Sequence, residues 1–168
     1  IQSACERALK TIAGEKVRIH SSGRTDSGVH ARAQVVHFDL KYPPADFQKL
    51  LLGMNALLDE DIRIMDVEPV GKDFHARFSA IKKEYRYFIW NARVVPPPLR
   101  FYRLQYSRPL DIEKMRAAAA RLVGAHDFAA FCSQRGKGAE NTMRNLLRLD
   151  VEQNGPEFTI MAESEGAP

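Results

Sequence analysis

Apolar side chains open the chain at helical spacing, with Ile1, Ala4, Ala8, Leu9 and Ile12 on one face and Gly14 as a stop. The pattern then changes to alternation. Val17 and Ile19 alternate with Lys16, Arg18 and His20, and Val36, Phe38 and Leu40 alternate with Val35, His37 and Asp39. This predicts two strands flanking a Ser- and Gly-rich loop from Ser21 to Gly28. Pro43 and Pro44 end the second strand. Asp46 is placed to cap a helix with Phe47, Leu50, Leu51, Met54, Leu57 and Leu58 on its apolar side. Ile62 to Val70 reads as extended.

In the second half, Ile81 to Asn91 predicts a strand with Tyr85, Tyr87 and Ile89 on one face and Arg86, Phe88 and Trp90 on the other. Pro96, Pro97 and Pro98 form a stiff connector. Asp111 should cap a helix through Ile112, Met115, Ala119 and Leu122, with Gly124 as its C-cap. Ser133 to Asn141 reads as a mobile cationic loop. Leu147, Leu149 and Val151, turned by Asn154-Gly155 into Phe158, Ile160 and Ala162, predict a hairpin. Helices and strands alternate while several strand pairs look antiparallel, so α+β is preferred to a doubly wound fold. A helix that starts without an N-cap or initiator Met, and a chain that stops just after a hairpin, lead us to expect a longer natural protein, trimmed at both ends.

Composition narrows the class. The 168 residues are 45% hydrophobic and 27% charged, which suits a globular chain and excludes collagen-like or generally disordered ones. No apolar run approaches the ~20 residues of a membrane span. Cys5 and Cys132 lie far apart and read as thiols of a reducing cytoplasm, so a cytoplasmic site is expected. Net charge is only +4, but from Lys72 to Arg108 nine basic residues face two acidic ones, with Tyr85, Tyr87, Phe88, Trp90, Phe101 and Tyr102 interleaved. From Leu149 onward there are five acids and no Lys or Arg. A basic stretch with aromatics is the footprint of a nucleic-acid surface, and a solvated basic face is its plain alternative.

The chemistry concentrates in Ser22 to Ala31. Glycines on both sides let backbone approach a ligand, and Thr25 and Ser27 can fix the loop by local hydrogen bonds. Asp26 is either a turn former or a nucleophile or general base, with the Arg24 guanidinium nearby keeping it ionised. His20, His30, His37, His75 and His126 are rival metal ligands in a hydrolase, but their spacing matches no compact metal motif. No phosphate-binding P-loop sequence occurs, and a two-carboxylate glycosidase lacks its second carboxylate here.

Gly23-Arg24-Thr25-Asp26-Ser27-Gly28-Val29-His30-Ala31 resembles the signature of the TruA-type tRNA pseudouridine synthases. The resemblance continues through Gln34 to Phe38, Asp73 to Ala80, Lys83 to Tyr87, Gly124 to Phe128 and Thr142 to Asn145. It implies two ferredoxin-like lobes, residues 1–80 and 81–168, with antiparallel sheets packed by helices around a basic cleft. The first lobe is expected to be incomplete at its start and the second at its end. It also implies isomerisation of uridine to pseudouridine in the anticodon stem-loop of tRNA, at uridines 38–40. Asp26 would be the nucleophile, with Arg24 positioning it and the flipped nucleotide. Tyr85 would stack on the base, and Phe74, His75, Ala76, Arg77 and Phe78 would contact RNA. Gly23, Thr25, Gly28 and His30 complete the motif loop.

No cofactor or metal is implied, and the family works as a homodimer on tRNA. Tyr85 and Tyr87 also suit a strand core, His75 a satisfied loop histidine, and Arg77 a partner for Asp73. The family's opening Tyr-Asp-Gly segment and its later Met-Val-Arg-Asn segment have no counterpart here. A catalytically inactive RNA-binding fragment of the same fold is therefore the alternative reading.

Overall fold

Helix α1 (Gln2–Ala13) ends at Gly14, whose left-handed backbone at φ 70 lets its N–H reach the Lys10 carbonyl. This computed structural model describes residues 1–131 and 142–166. The expectations for Cys132 and for the loop Ser133 to Asn141 therefore lie outside the described residues. The chain divides into two compact units, Ile1–Ala80 and a second one beginning at Ile81.

In the first unit, α1 and α2 (Phe47–Leu57) bury Cys5, Ala8, Leu9, Leu50 and Met54 together with Val17, Ile19 and Leu58. Phe38, Leu40, Ile62, Ile64 and Val67 pack around this core. Asp46 caps α2, its carboxylate accepting from the backbone N–H of Gln48 and Lys49. The paired strands are shorter than the alternation predicts: β1 (His20–Ser21) and β2 (Val36–His37) form an antiparallel ladder of two residues each. Side chains from the helices explain the difference. The Ile19 N–H donates to the Glu6 carboxylate, and its carbonyl accepts from the Gln2 side chain. Asn55 likewise satisfies both the N–H and the carbonyl of Ile64. These segments are extended and bury alternate residues, but part of their backbone hydrogen bonding is met without a neighbouring strand.

The second unit is a five-stranded sheet in the order β4-β3-β7-β6-β5. β3 (Lys82–Trp90) runs antiparallel to β7 (Glu157–Glu165), from Lys82↔Glu165 to Trp90↔Glu157. β4 (Leu104–Gln105) is parallel to β3, and β5 (Gly124–Asp127) is antiparallel to β6 (Met143–Asn154). β6 and β7 form the predicted hairpin around Gly155, which stands at φ 56. A bulge interrupts their register between Leu146 and Arg148. Helix α3 (Ile112–Ala120), capped by Asp111, buries Ala119 against Ile89, Val151 and Phe158. Its end departs from expectation. The last turn closes early, with Arg121 and Leu122 donating to Ala118 and Ala119, so Arg121 is the C-cap and Gly124 opens β5 instead. The architecture is α+β, as expected.

Candidate functional site

The loop after β1 is fixed at its neck. Ser22 N–H donates to the Val35 carbonyl at 2.9 Å. The Gln34 side chain donates to the Gly23 carbonyl at 2.8 Å and to the Ser22 hydroxyl at 3.2 Å. Ser21 adds a fourth hydrogen bond, its hydroxyl donating to the same Gly23 carbonyl. Beyond this neck Asp26 begins a tight turn, its carbonyl accepting from the Val29 N–H at 3.1 Å. Gly28, the third residue of that turn, sits at φ 81, where an L side chain is disfavoured.

Arg24, Thr25, Asp26 and His30 are all exposed. Among the described residues no ion pair joins Arg24 to Asp26, so the expected local charge pairing is absent and both groups face solvent. What the fold supplies is a pinned backbone that presents a solvated carboxylate.

Three histidines gather beside the neck. His20 and His37 are partners across β1–β2, and their rings stack at 5.1 Å with an interplanar angle of 20°. The His75 ring meets His37 edge-on at 4.5 Å. His75 belongs to the turn that carries Phe74, Ala76, Arg77 and Phe78. That turn is closed by His75 N–H to the Ser79 hydroxyl, Ser79 N–H to the His75 carbonyl, and Arg77 N–H to His75 Nδ1. Ala76 is buried and its N–H donates to His37 Nδ1 at 3.1 Å. Burial holds His37 below the usual histidine range, helped by His75 and His20 and opposed by Asp39. Among the described residues no group of three or more His, Cys, Asp or Glu is arranged to hold a metal ion. Arg77 does not pair with Asp73; its guanidinium lies over the Phe78 ring at 5.8 Å, and both side chains are exposed.

Tyr85 belongs to the second unit. Register puts Tyr85 and Tyr87 on the same face as Ile89, Ile160 and Phe158, which is the face packed by α3. Only the Ile89 end is covered: Tyr85 is 60% and Tyr87 53% exposed, so neither is a core residue. The opposite face carries charges in alternation. Glu84 accepts from Arg86 at 2.7 Å and from Arg148 at 3.0 Å, which holds its carboxyl below the usual range. Lys82 meets Glu163 at 3.1 Å, and Arg103 bonds Glu157 while stacking on Phe88 at 4.1 Å.

A family model described as tRNA pseudouridine synthase matches residues 1–79 and 118–166. The chain belongs to the tRNA pseudouridine synthase family. It is 42% identical over 165 residues to the tRNA pseudouridine synthase A of Listeria monocytogenes serotype 4a (strain HCC23), which covers 96% of this chain and 65% of that protein. It is 41% identical to tRNA pseudouridine synthase A 1 of Protochlamydia amoebophila (strain UWE25), across 99% of this chain and 66% of the relative. It is 38% identical to tRNA pseudouridine synthase A of Thermoanaerobacter sp. (strain X514), across 99% and 67%. The chain thus spans about two thirds of the length of these family members.

The geometry adds two residues to the site. Gln34 and His37 were not among the expected site residues, yet one pins the Asp26 loop and the other holds the 74–79 turn. The Gln34-Val-Val-His37-Phe38 motif marks their segment but not what either side chain bonds. The Gly124–Phe128 and Thr142–Asn145 motifs are also explained. They face one another, Ala125 opposite Asn145, His126 opposite Arg144 and Asp127 opposite Met143.

Proposed function

We propose that this chain acts on tRNA as a pseudouridine synthase, with Asp26 as its nucleophile and a uridine of the anticodon stem-loop as its target. The observation that carries the reading is the pinned loop with Asp26 exposed at its turn, in a chain of the tRNA pseudouridine synthase family. A base within a stem must leave the stack to be reached, at a cost of a few kcal/mol. Tyr85, exposed on β3, offers a ring whose stacking returns about 1–3 kcal/mol.

The reaction balances without an external reagent. The Asp26 carboxylate adds to the nucleotide, and the N1–C1′ bond breaks. The uracil rotates, the C5–C1′ bond forms, C5 gives up its hydrogen as a proton, N1 takes up a proton in its place, and the carboxylate is released unchanged. Arg24 is assigned to positioning the nucleotide, and Phe74 to Phe78 to contact with RNA. The reading includes a cytoplasmic site of action and a homodimer, the latter checked by sedimentation.

The test is tritium release from tRNA labelled at uracil C5. The chain should release tritium and D26A should not, while tRNA affinity changes by less than about threefold, since an exposed carboxylate contributes little to backbone attraction. Silence from the unaltered chain with tRNA still bound would replace this reading with that of an RNA-binding module.

A further inference from the structure

We propose that His37 is a positioning residue: its neutral imidazole latches the 74–79 turn onto the β1–β2 ladder, and a proton on that ring releases the turn. The first observation is the donor–acceptor geometry. Ala76 N–H donates to His37 Nδ1 at 3.1 Å, so that nitrogen must offer a lone pair and any ring proton must sit on Nε2. A second proton turns the acceptor into a donor aimed at another donor. The bond is then lost, and Ala76 N–H is left buried without its partner.

The second observation is that the turn is tied within itself. Its internal bonds run through His75 and Ser79, from residue 75 to residue 79, independently of His37. The third is the surroundings of the ring. From β1 it is faced by His20 at 5.1 Å, and from the turn by His75 at 4.5 Å, with the Phe74 ring edge at 6.2 Å. On its own segment the charged neighbour is Asp39. His37 thus lies between two other imidazole rings, with one carboxylate on its own segment. Burial first, and then His75 and His20, lower its proton affinity against the opposing Asp39, so the latch stays closed through neutral pH and opens below the ordinary histidine range.

The consequence for RNA rests on the proposed function, in which Phe74 to Phe78 contact tRNA. The experiment separates the two. The Ala76 amide and the His37 ring are followed by NMR on the labelled chain from about pH 8 to about pH 5. Affinity for an anticodon stem-loop RNA is measured over the same range at fixed ionic strength. The Ala76 amide should shift and lose exchange protection along the His37 titration. RNA affinity should fall about tenfold as the latch opens. That direction opposes simple electrostatics, because a new positive charge on His37 alone would strengthen binding to phosphate.

H37N keeps an acceptor oxygen near the Nδ1 position and cannot titrate, so it should bind well at the upper pH and lose the pH dependence. H37L should bind weakly throughout. An Ala76 amide that ignores the His37 titration, or an H37N variant with an unaltered pH profile, would overturn the latch. An amide that follows His37 while RNA affinity stays flat would keep the latch and overturn the assignment of this turn to RNA.

Discussion

At Gly28 the backbone stands at φ 81, and a Cβ added there meets nothing within 4 Å. G28A therefore isolates backbone strain from steric collision. It should cost about 1–2 kcal/mol of stability, measured by urea unfolding. It should also lower turnover, because the turn that presents Asp26 would open. At this scale the sequence was informative about chemistry and silent about support. Gly23 to Ala31 stood out because Gly, Asp and Arg are crowded into one loop. Gln34 did not, since nothing in one glutamine announces that its side chain reaches back across 11 residues to the Gly23 carbonyl. His37 was hidden for a similar reason, as its partner is a backbone N–H 39 residues away. Tyr85 was ambiguous between core and surface, because alternation gives the face of a residue but not how far a helix extends over it.

Among elements, β5 and the residue just before β6 share a bond that joins two motifs. The Thr142 hydroxyl donates to the Asp127 carboxylate at 2.5 Å, and Ala129 N–H donates to the same oxygen. These two bonds, Thr142 first, hold the Asp127 carboxyl below its usual range. A carboxyl held low in the folded state adds stability above its unfolded value, and that stability is lost as pH falls through the folded value. T142V removes the larger bond, so Asp127 should titrate at higher pH and acid unfolding should begin at higher pH; carbon-detected NMR and a pH melt would show both. The sequence indicated the long strands and the caps Asp46 and Asp111, because period and capping chemistry are local. It overstated β1 and β2, since Glu6 and Gln2 take over the backbone bonds of Ile19 that alternation assigns to a strand neighbour.

Across the whole molecule, the segregation of charge along the chain changes meaning once the sheet is formed. The acidic end and the basic middle lie side by side as β7 and β3, and Lys82 and Arg103 pair with Glu163 and Glu157. Part of the basic excess is thus neutralised within the second unit, which a linear charge count does not reveal. The two cores have no residue in common, one centred on Leu9 and Ile19 and the other on Phe158 and Ile89. I19V and I89V should each cost about 0.5–1.5 kcal/mol. Their sum should match the double variant within about 0.5 kcal/mol in denaturant unfolding, as expected for sites with no shared partners.

The bulge between Leu146 and Arg148 exchanges the two faces of β6. Arg148 lies opposite Glu163 and Leu149 opposite Ala162, so beyond the bulge odd-numbered residues share the tyrosine face. Before it Leu146 lies opposite Ser164, which places even-numbered residues, Arg144 among them, on that same face. One unpaired residue thus decides that a guanidinium and the ring of Tyr85 belong to one surface. An uninterrupted ladder would carry Arg144 to the side occupied by Glu84 and Arg86, so the spare position at Leu147 acts as an address for the whole Thr142–Asn145 segment.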